Sequence, residues 1–307
     1  MSRITVAFVI GTAAWQPPLD VGLRDAYLRR LGFGEPPEPT LDALVALHRA
    51  QVERIPYECV WLWLGERRTI DPVDAVRYVS GPGGRGGYCY HMNGSLSALL
   101  AWLGFDVHWH VGGVQGGPGD PIGATANHLV LSVAGLPSPA NPGGSWLVDS
   151  GLGDGLHEPV PLTPGEYRQG PFRYRLGPSE AVEGGWRLDG DPRMSLLRVD
   201  WRTEEATPRD FAAKHEHLST SPDSGFVRVA AAFRRDAGGW DVIRGCVLKR
   251  YDDGESTREV ITRGEYFQAL ADVFGLTLSD VDDARRAVLW EKVQASHEKW
   301  LATQAAQ

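Results

Sequence analysis

The chain has 307 residues, 42% of them apolar and 23% charged, with a net charge of -8 and three cysteines. Such a chain buries a sizeable core in one large domain or two to three smaller ones, and its acidic balance, with no lysine or arginine run, excludes a general binder of nucleic acid or anionic membrane. Cys59, Cys89 and Cys246 are too few and too scattered for a disulfide framework or a zinc ribbon, which points to a reducing, cytoplasmic compartment, and no segment offers the ~20 apolar residues of a membrane span.

Arg3 precedes a short apolar run over residues 4–14 that Gly11 and Thr12 break, so it reads as an N-terminal extension or an early start codon rather than a secretory leader. Leu23, Ala26, Tyr27, Leu28 and Leu31 then fall at helical spacing, and Gly32, Gly34, Pro36, Pro37 and Pro39 end that helix. Thr40 caps a second helix over residues 40–52, which stops before Pro56. A third covers residues 71–78. A fourth begins at Cys89, carries Leu96, Leu99, Leu100 and Leu103, and stops at Gly104.

At Phe105 the apolar period changes to two, through Val107, Trp109 and Val111. Residues 112–119 read as a glycine-rich loop. Residues 128–133 and 146–148 read as a hairpin with a long Gly/Pro/Ser/Asn connection, and further strands are predicted at 172–176 and 186–188. A helical piece at 210–217 precedes three strands, at 226–233, 240–243 and 246–250, and helices close the chain at 262–274 and 279–301. The layout is helical, then β, then β with closing helices: three subdomains around one site.

The site is read from the stretch Arg85-Gly86-Gly87-Tyr88-Cys89-Tyr90-His91-Met92-Asn93. A cysteine at a helix N-terminus meets unpaired backbone N–H groups whose partial positive charge favours thiolate; the plain alternative is a buried, inert thiol. In the hairpin, facing residues have numbers with a constant sum, which sets His128 opposite position 150 or 151 and brings Asp149 within two residues of that rung. A thiolate nucleophile, an imidazole that shares its proton and a carboxylate that fixes the tautomer are the parts of a Cys-His-Asp relay.

Ile55-Pro56-Tyr57-Glu58, Arg85-Gly86-Gly87-Tyr88-Cys89 with Asn93, Asn127-His128-Leu129-Val130-Leu131, Leu147-Val148-Asp149-Ser150-Gly151 and residues 219–226 resemble, in this order, the arylamine N-acetyltransferase family. The resemblance implies an α+β fold with a cysteine-protease-like core: an N-terminal helical bundle with the nucleophile (residues 1–106), a central β-barrel with the histidine and aspartate (107–210) and a C-terminal α/β lid (211–307). It implies Cys89, His128 and Asp149 as a catalytic triad that takes an acyl group from acetyl-CoA or another acyl-CoA as a thioester and passes it to a small-molecule amine, with no metal. It also implies a buried ion pair of Arg85 with Glu58, whose loss would cost about 3–5 kcal/mol, and Phe226 as a wall of the acceptor pocket. The chain departs from the family pattern at three positions, with His91 for the usual glutamate, Leu152 for a frequent phenylalanine and Cys59 for asparagine. His91 changes the charge of the first helical turn, and the smaller Leu152 widens the pocket.

His108 and His110 share a strand face as a metal site requires, but polar alternation on a half-exposed strand explains them. Residues 151–155 lack both the spacing and the lysine of a phosphate loop. Beside the acyl-CoA reading stand an amide synthase of the same fold fed by an acyl carrier protein, a thiol hydrolase with the same triad, and a non-catalytic binding relative.

Overall fold

The computed structural model describes residues 19–260 and 262–305; the stretch read above as an extension or an early start, residues 1–14, lies outside them. Helix α1 (Val21–Leu31) begins where the Asp20 carboxylate accepts the amides of Gly22 and Leu23, and ends at Gly32, whose φ of 87° is left-handed. Helix α2 (Leu41–Arg54) starts on the Thr40 side chain. After the strand β1 (Tyr57–Glu58) and the single turn α3 (Val60–Trp63) come α4 (Pro72–Ser80), with an Asp71 cap and proline in its first turn, and α5 (Cys89–Trp102). Every residue of α5 from Cys89 to Ala101 is buried. A helix enclosed on all sides is the axis of its bundle, and its interior hydroxyls are satisfied locally: Ser95 donates to the Met92 carbonyl at 3.0 Å and Ser97 to that of Gly94 at 2.8 Å.

Strands β2 (Asp106–Gln115), β3 (His128–Ala134), β4 (Trp146–Val148), β5 (Val160–Pro161), β6 (Gly165–Gln169), β7 (Phe172–Pro178), β8 (Trp186–Asp189) and β9 (Arg198–Glu205) form one antiparallel sheet. Its order is β5-β4-β3-β2-β9-β8-β7-β6. The sheet curls into a nearly closed barrel, with the Tyr167 hydroxyl of β6 donating to the Pro161 carbonyl of β5 at 3.2 Å. Residues 112–115, predicted as loop, belong to β2. Gly113 sits where a Cβ would come within 1.9 Å of the Gly123 carbonyl, so glycine there permits close strand-to-loop packing and does not mark a turn.

The chain continues through α6 (Pro208–Thr220), α7 (Gly225–Arg228), β10 (Ala231–Arg235), β11 (Trp240–Arg244), β12 (Val247–Tyr251), β13 (Glu255–Glu259), α8 (Arg263–Phe274) and α9 (Asp283–Ala305). The apolar run 226–233 predicts a single strand. Instead, the Ser224 hydroxyl accepts the Phe226 amide at 3.3 Å and caps a helical turn, and the strand starts only at Ala231. The second sheet runs β1-β10-β11-β12-β13. A strand from the helical first third thus forms the edge of the C-terminal sheet and sets Tyr57 opposite Phe233. The architecture is α+β, and among the described residues no helix is long and apolar enough to cross a membrane.

Candidate active site

Cys89 opens α5, and the turn that delivers it is stitched to β1: the Glu58 amide donates to the Gly87 carbonyl at 2.9 Å and the Gly86 amide to Glu58 Oε1 at 3.4 Å. The thiol is buried, with Sγ 3.6 Å from the Asn127 carbonyl. Across from it stands the open end of the β3–β4 hairpin. Leu131 pairs with Val148, and extending that register sets His128 opposite Gly151, with Asp149 two residues short of it. His128 Nε2 and Asp149 Oδ2 are 2.7 Å apart, both side chains almost wholly buried.

Burial alone lowers the pKa of an imidazole. At His128 the charge of Asp149 and its hydrogen bond outweigh burial, with smaller contributions from the hydrogen bond and charge of Cys89, and the pKa is pushed up to about 10. Asp149 therefore holds the imidazole that shares a cavity wall with Cys89.

The other oxygen of Asp149 is equally fixed. Oδ1 accepts from Asn93 Nδ2 at 2.8 Å and from the Gly151 amide at 3.0 Å. Asn93 also donates to the Leu129 carbonyl at 2.7 Å, and its Oδ1 accepts the amide and hydroxyl of Ser150 at 2.9 and 3.0 Å. One helical turn beyond the cysteine, this single side chain joins α5, β3 and the turn after β4. Gly151 is where that turn meets the helix: a Cβ there would lie 2.8 Å from Asn93 Nδ2 and 3.1 Å from Cys89 Cα. On the approach to His128, Ala126 has a φ of 61°, unusual for a residue with a Cβ, and the Tyr90 hydroxyl grips its carbonyl at 2.6 Å.

Cys89 and His128 open into a cavity of about 240 Å³ whose wall includes Tyr57, Leu152, Leu196, Leu218, Phe226 and Phe233. Phe226 and Leu152 both line this cavity. Arg244 also lines this cavity and, with Ser195, the neighbouring one of about 550 Å³. Tyr57, Leu218 and Arg244 were not legible as site residues, because an edge strand, a helix end and a strand end far apart in sequence supply them. Asn93 was visible only through its place in the cysteine motif.

The expected ion pair of Arg85 with Glu58 does not form. Glu58, fully buried, accepts the amides of Trp61 and Gly86 and faces Arg68 Nη1 at 3.6 Å. Arg68 also donates to the Gly86 carbonyl at 2.7 Å. Arg85 turns the other way, to Glu66 and to Asp280 at 3.0 Å. The physical reason is that Arg68 already occupies the space beside Glu58, packed over the rings of Trp61 and Tyr78, so Arg85 secures the catalytic turn to the C-terminal segment instead.

His91 is absent from the cavity wall. Its Nε2 is 3.1 Å from the Thr69 carbonyl and its ring stacks on Tyr88 at 4.8 Å. Burial, reinforced by the positive charges of Arg68 and His215, holds its pKa well below the ordinary imidazole value. It is therefore a neutral donor to Thr69 in the aromatic packing behind the cysteine. His108 meets Glu205 at 2.9 Å and His110 meets Ser132 at 2.8 Å, and among the described residues no group of three or more His, Cys, Asp or Glu side chains is arranged to hold a metal ion.

Residues 40–283 match the N-acetyltransferase family. The chain is 30% identical over 273 residues to the arylamine N-acetyltransferase of Mycolicibacterium smegmatis, covering 86% of this chain and 94% of that one. It is also 30% identical over 258 residues to the proansamycin X synthase of Amycolatopsis mediterranei, covering 80% and 94%. Among solved structures it is similar to the Mycobacterium marinum arylamine N-acetyltransferase in complex with CoA, with a TM-score of 0.76 and 26% identity over 88% of this chain and 98% of that one.

Proposed function

The chain belongs to the arylamine N-acetyltransferase family, and from that premise we propose that it transfers an acyl group from an acyl-CoA to an aromatic or related amine through an acyl-Cys89 intermediate. With the shared proton resting on His128, the Cys89 sulfur attacks the thioester carbonyl of acetyl-CoA or another acyl-CoA. The tetrahedral adduct collapses, the donor C–S bond breaks, and the CoA thiolate leaves with the proton from His128. The amine nitrogen then attacks the acyl-Cys89 carbonyl, the second C–S bond breaks, and the proton lost by the amine returns through His128 to the Cys89 sulfur. The Cys89 backbone N–H, at the helix N-terminus, is the donor aimed at the developing oxyanion.

The observation that carries this reading is the buried Asn93–Asp149–His128 chain ending beside Cys89 in a cavity with an aromatic wall. The CoA bound to the M. marinum relative supports the donor. Three free cysteines fit a cytoplasmic setting.

A second reading, an amide synthase that takes its acyl group from a carrier-protein thioester, is favoured by the equal identity to proansamycin X synthase and by the cavity of about 550 Å³ that shares Ser195 and Arg244 with the one holding Cys89 and His128. Intact-mass measurement separates the two. Acetyl-CoA should add one acetyl group to Cys89, and Cys89→Ala should take none. An adduct formed only with an acyl carrier protein replaces the first reading with the second. No adduct with any thioester leaves a non-catalytic binding protein.

A further inference from the structure

We infer that the outer face of α9, together with the single turn α7, is a docking surface for an acidic acyl carrier protein that delivers its thioester to Cys89. The inference rests on acyl transfer through Cys89 and adds the surface that receives the donor. Two cavities lie in series beyond the catalytic one. The cavity of about 550 Å³ shares Ser195 and Arg244 with the one holding Cys89 and His128. A third, of about 870 Å³, shares Val229, Ser296 and Trp300 with the second. Common walls thus link the sulfur to the face of α9.

The outermost cavity is walled by Arg228 of α7 and by Lys292 and Lys299 of α9, all three exposed, and no aspartate or glutamate lines it or its neighbour. Lys292 and Lys299 fall two turns apart on one side of the helix, while Glu291 and Glu298 are absent from the wall. Lys292 donates to the Trp63 carbonyl at 3.2 Å, and among the described residues none of the three cations makes an ion pair. On a chain of net charge -8 this face reverses the sign of the local potential. It attracts an acidic macromolecule and holds it in register.

The apolar groups among these cations indicate a protein rather than a free nucleotide. Trp300, 48% exposed, lines both outer cavities with its ring stacked on His297 at 5.5 Å, and Val229, which also lines both, is 38% exposed. An open patch that combines a large aromatic with unpaired cations has the make-up of a protein interface. A carrier protein meets it with the acidic helices beside its phosphopantetheine-bearing serine, and a cavity of about 550 Å³ is of the size that takes the flexible arm. At the end of that arm the Cys89 sulfur bonds the acyl carbon, the C–S bond to pantetheine breaks, and the pantetheine sulfur leaves with the proton held by His128.

To test this, acylation of Cys89 is timed by intact mass with three acetyl donors: a bacterial acyl carrier protein loaded on its phosphopantetheine, acetyl-CoA and acetyl-pantetheine. Wild type is compared with the double variant Lys292→Glu/Lys299→Glu, with circular dichroism to verify folding. At low salt the variant should lose about tenfold or more in its rate with the carrier, and keep the wild-type rate with acetyl-CoA and acetyl-pantetheine. The loss should vanish near about 1 M salt, where the charges are screened. A carrier whose acidic helix is rebuilt with lysines should serve the variant better than the wild type.

A carrier rate that the variant leaves unchanged overturns the inference. So does an equal loss with acetyl-CoA, which assigns the lysines to the nucleotide of that donor, and so does a wild type that accepts acetyl from CoA but not from the carrier. Acyl transfer through Cys89 stands in each of these cases. Failure of wild-type Cys89 to take acetyl from any of the three donors strikes the acyltransferase reading itself, and the inference with it.

Discussion

Asn93 donates to Asp149 Oδ1 at 2.8 Å while His128 engages Oδ2 of the same carboxylate at 2.7 Å. Because Asn93 follows Cys89 by one turn of α5, the helix that presents Cys89 also clamps the carboxylate that holds His128. Rotation or slippage of α5 would misplace both at once.

Asn93→Leu keeps the volume and removes the clamp. It strands the Ser150 amide, at about 1–3 kcal/mol for a buried group left without a partner, removes the Asn93 bond to the Leu129 carbonyl, and leaves Asp149 Oδ1 with the Gly151 amide alone. We expect a lowered urea midpoint and a loss in acyl-transfer rate of about 100-fold or more. An unchanged rate in a folded variant would remove Asn93 from the positioning of the triad.

The raised pKa of His128 makes stability depend on pH with a definite sign. The folded protein holds this proton more tightly than the unfolded chain, so its contribution is complete below the ordinary value of 6.5 and is lost as pH rises towards about 10. In Asp149→Asn the main raising influence is gone, burial prevails, and that decline should flatten. Denaturant titrations at several pH values across this window measure the difference, and an equal slope in both proteins would refute the coupling. Turnover of Asp149→Asn should fall by roughly 100-fold or more, the scale of a lost general acid–base.

The sequence assigns the larger loss to Arg85, whereas the contacts assign it to Arg68. Arg68→Met leaves Glu58 charged and fully buried, at a cost of about 3–5 kcal/mol. Arg85→Met releases Glu66 and Asp280, whose side chains are 25% and 28% exposed and remain hydrated, so roughly 1 kcal/mol is expected. Urea unfolding of the two variants decides the order.

Leu152→Phe should narrow the cavity. We expect acetyl transfer to survive, transfer of longer acyl chains to drop by about tenfold or more, and an overpacking cost of about 1–3 kcal/mol. Relative rates with acetyl and longer-chain donors measure the effect; equal losses for both would take Leu152 out of acyl selection.

Two helix ends were legible because single residues write them, Thr40 as a cap and Gly32 as a left-handed stop. The hairpin rung that brings His128 and Asp149 together followed from turn arithmetic alone. Strand β13 was invisible because all five of its residues, Glu255–Glu259, are exposed and carry no apolar alternation. In β9 the polar run Arg202–Glu205 masked the buried Val199 and Trp201. The Arg68–Glu58 and Arg85–Asp280 contacts were unreadable for another reason. Charge pairing across a fold has no sequence period, and several arginines compete for each carboxylate until packing chooses among them.

The most direct measurement is a single turnover. Cys89 is loaded with acetyl from acetyl-CoA, free donor is removed, an aromatic amine is added, and acyl-enzyme and product are quantified at successive times by mass spectrometry. We expect the acetyl group to leave Cys89 at the rate at which the amide appears, one for one. An acyl-Cys89 that persists while amide forms, or amide made by Cys89→Ala at the wild-type rate, would contradict the covalent route.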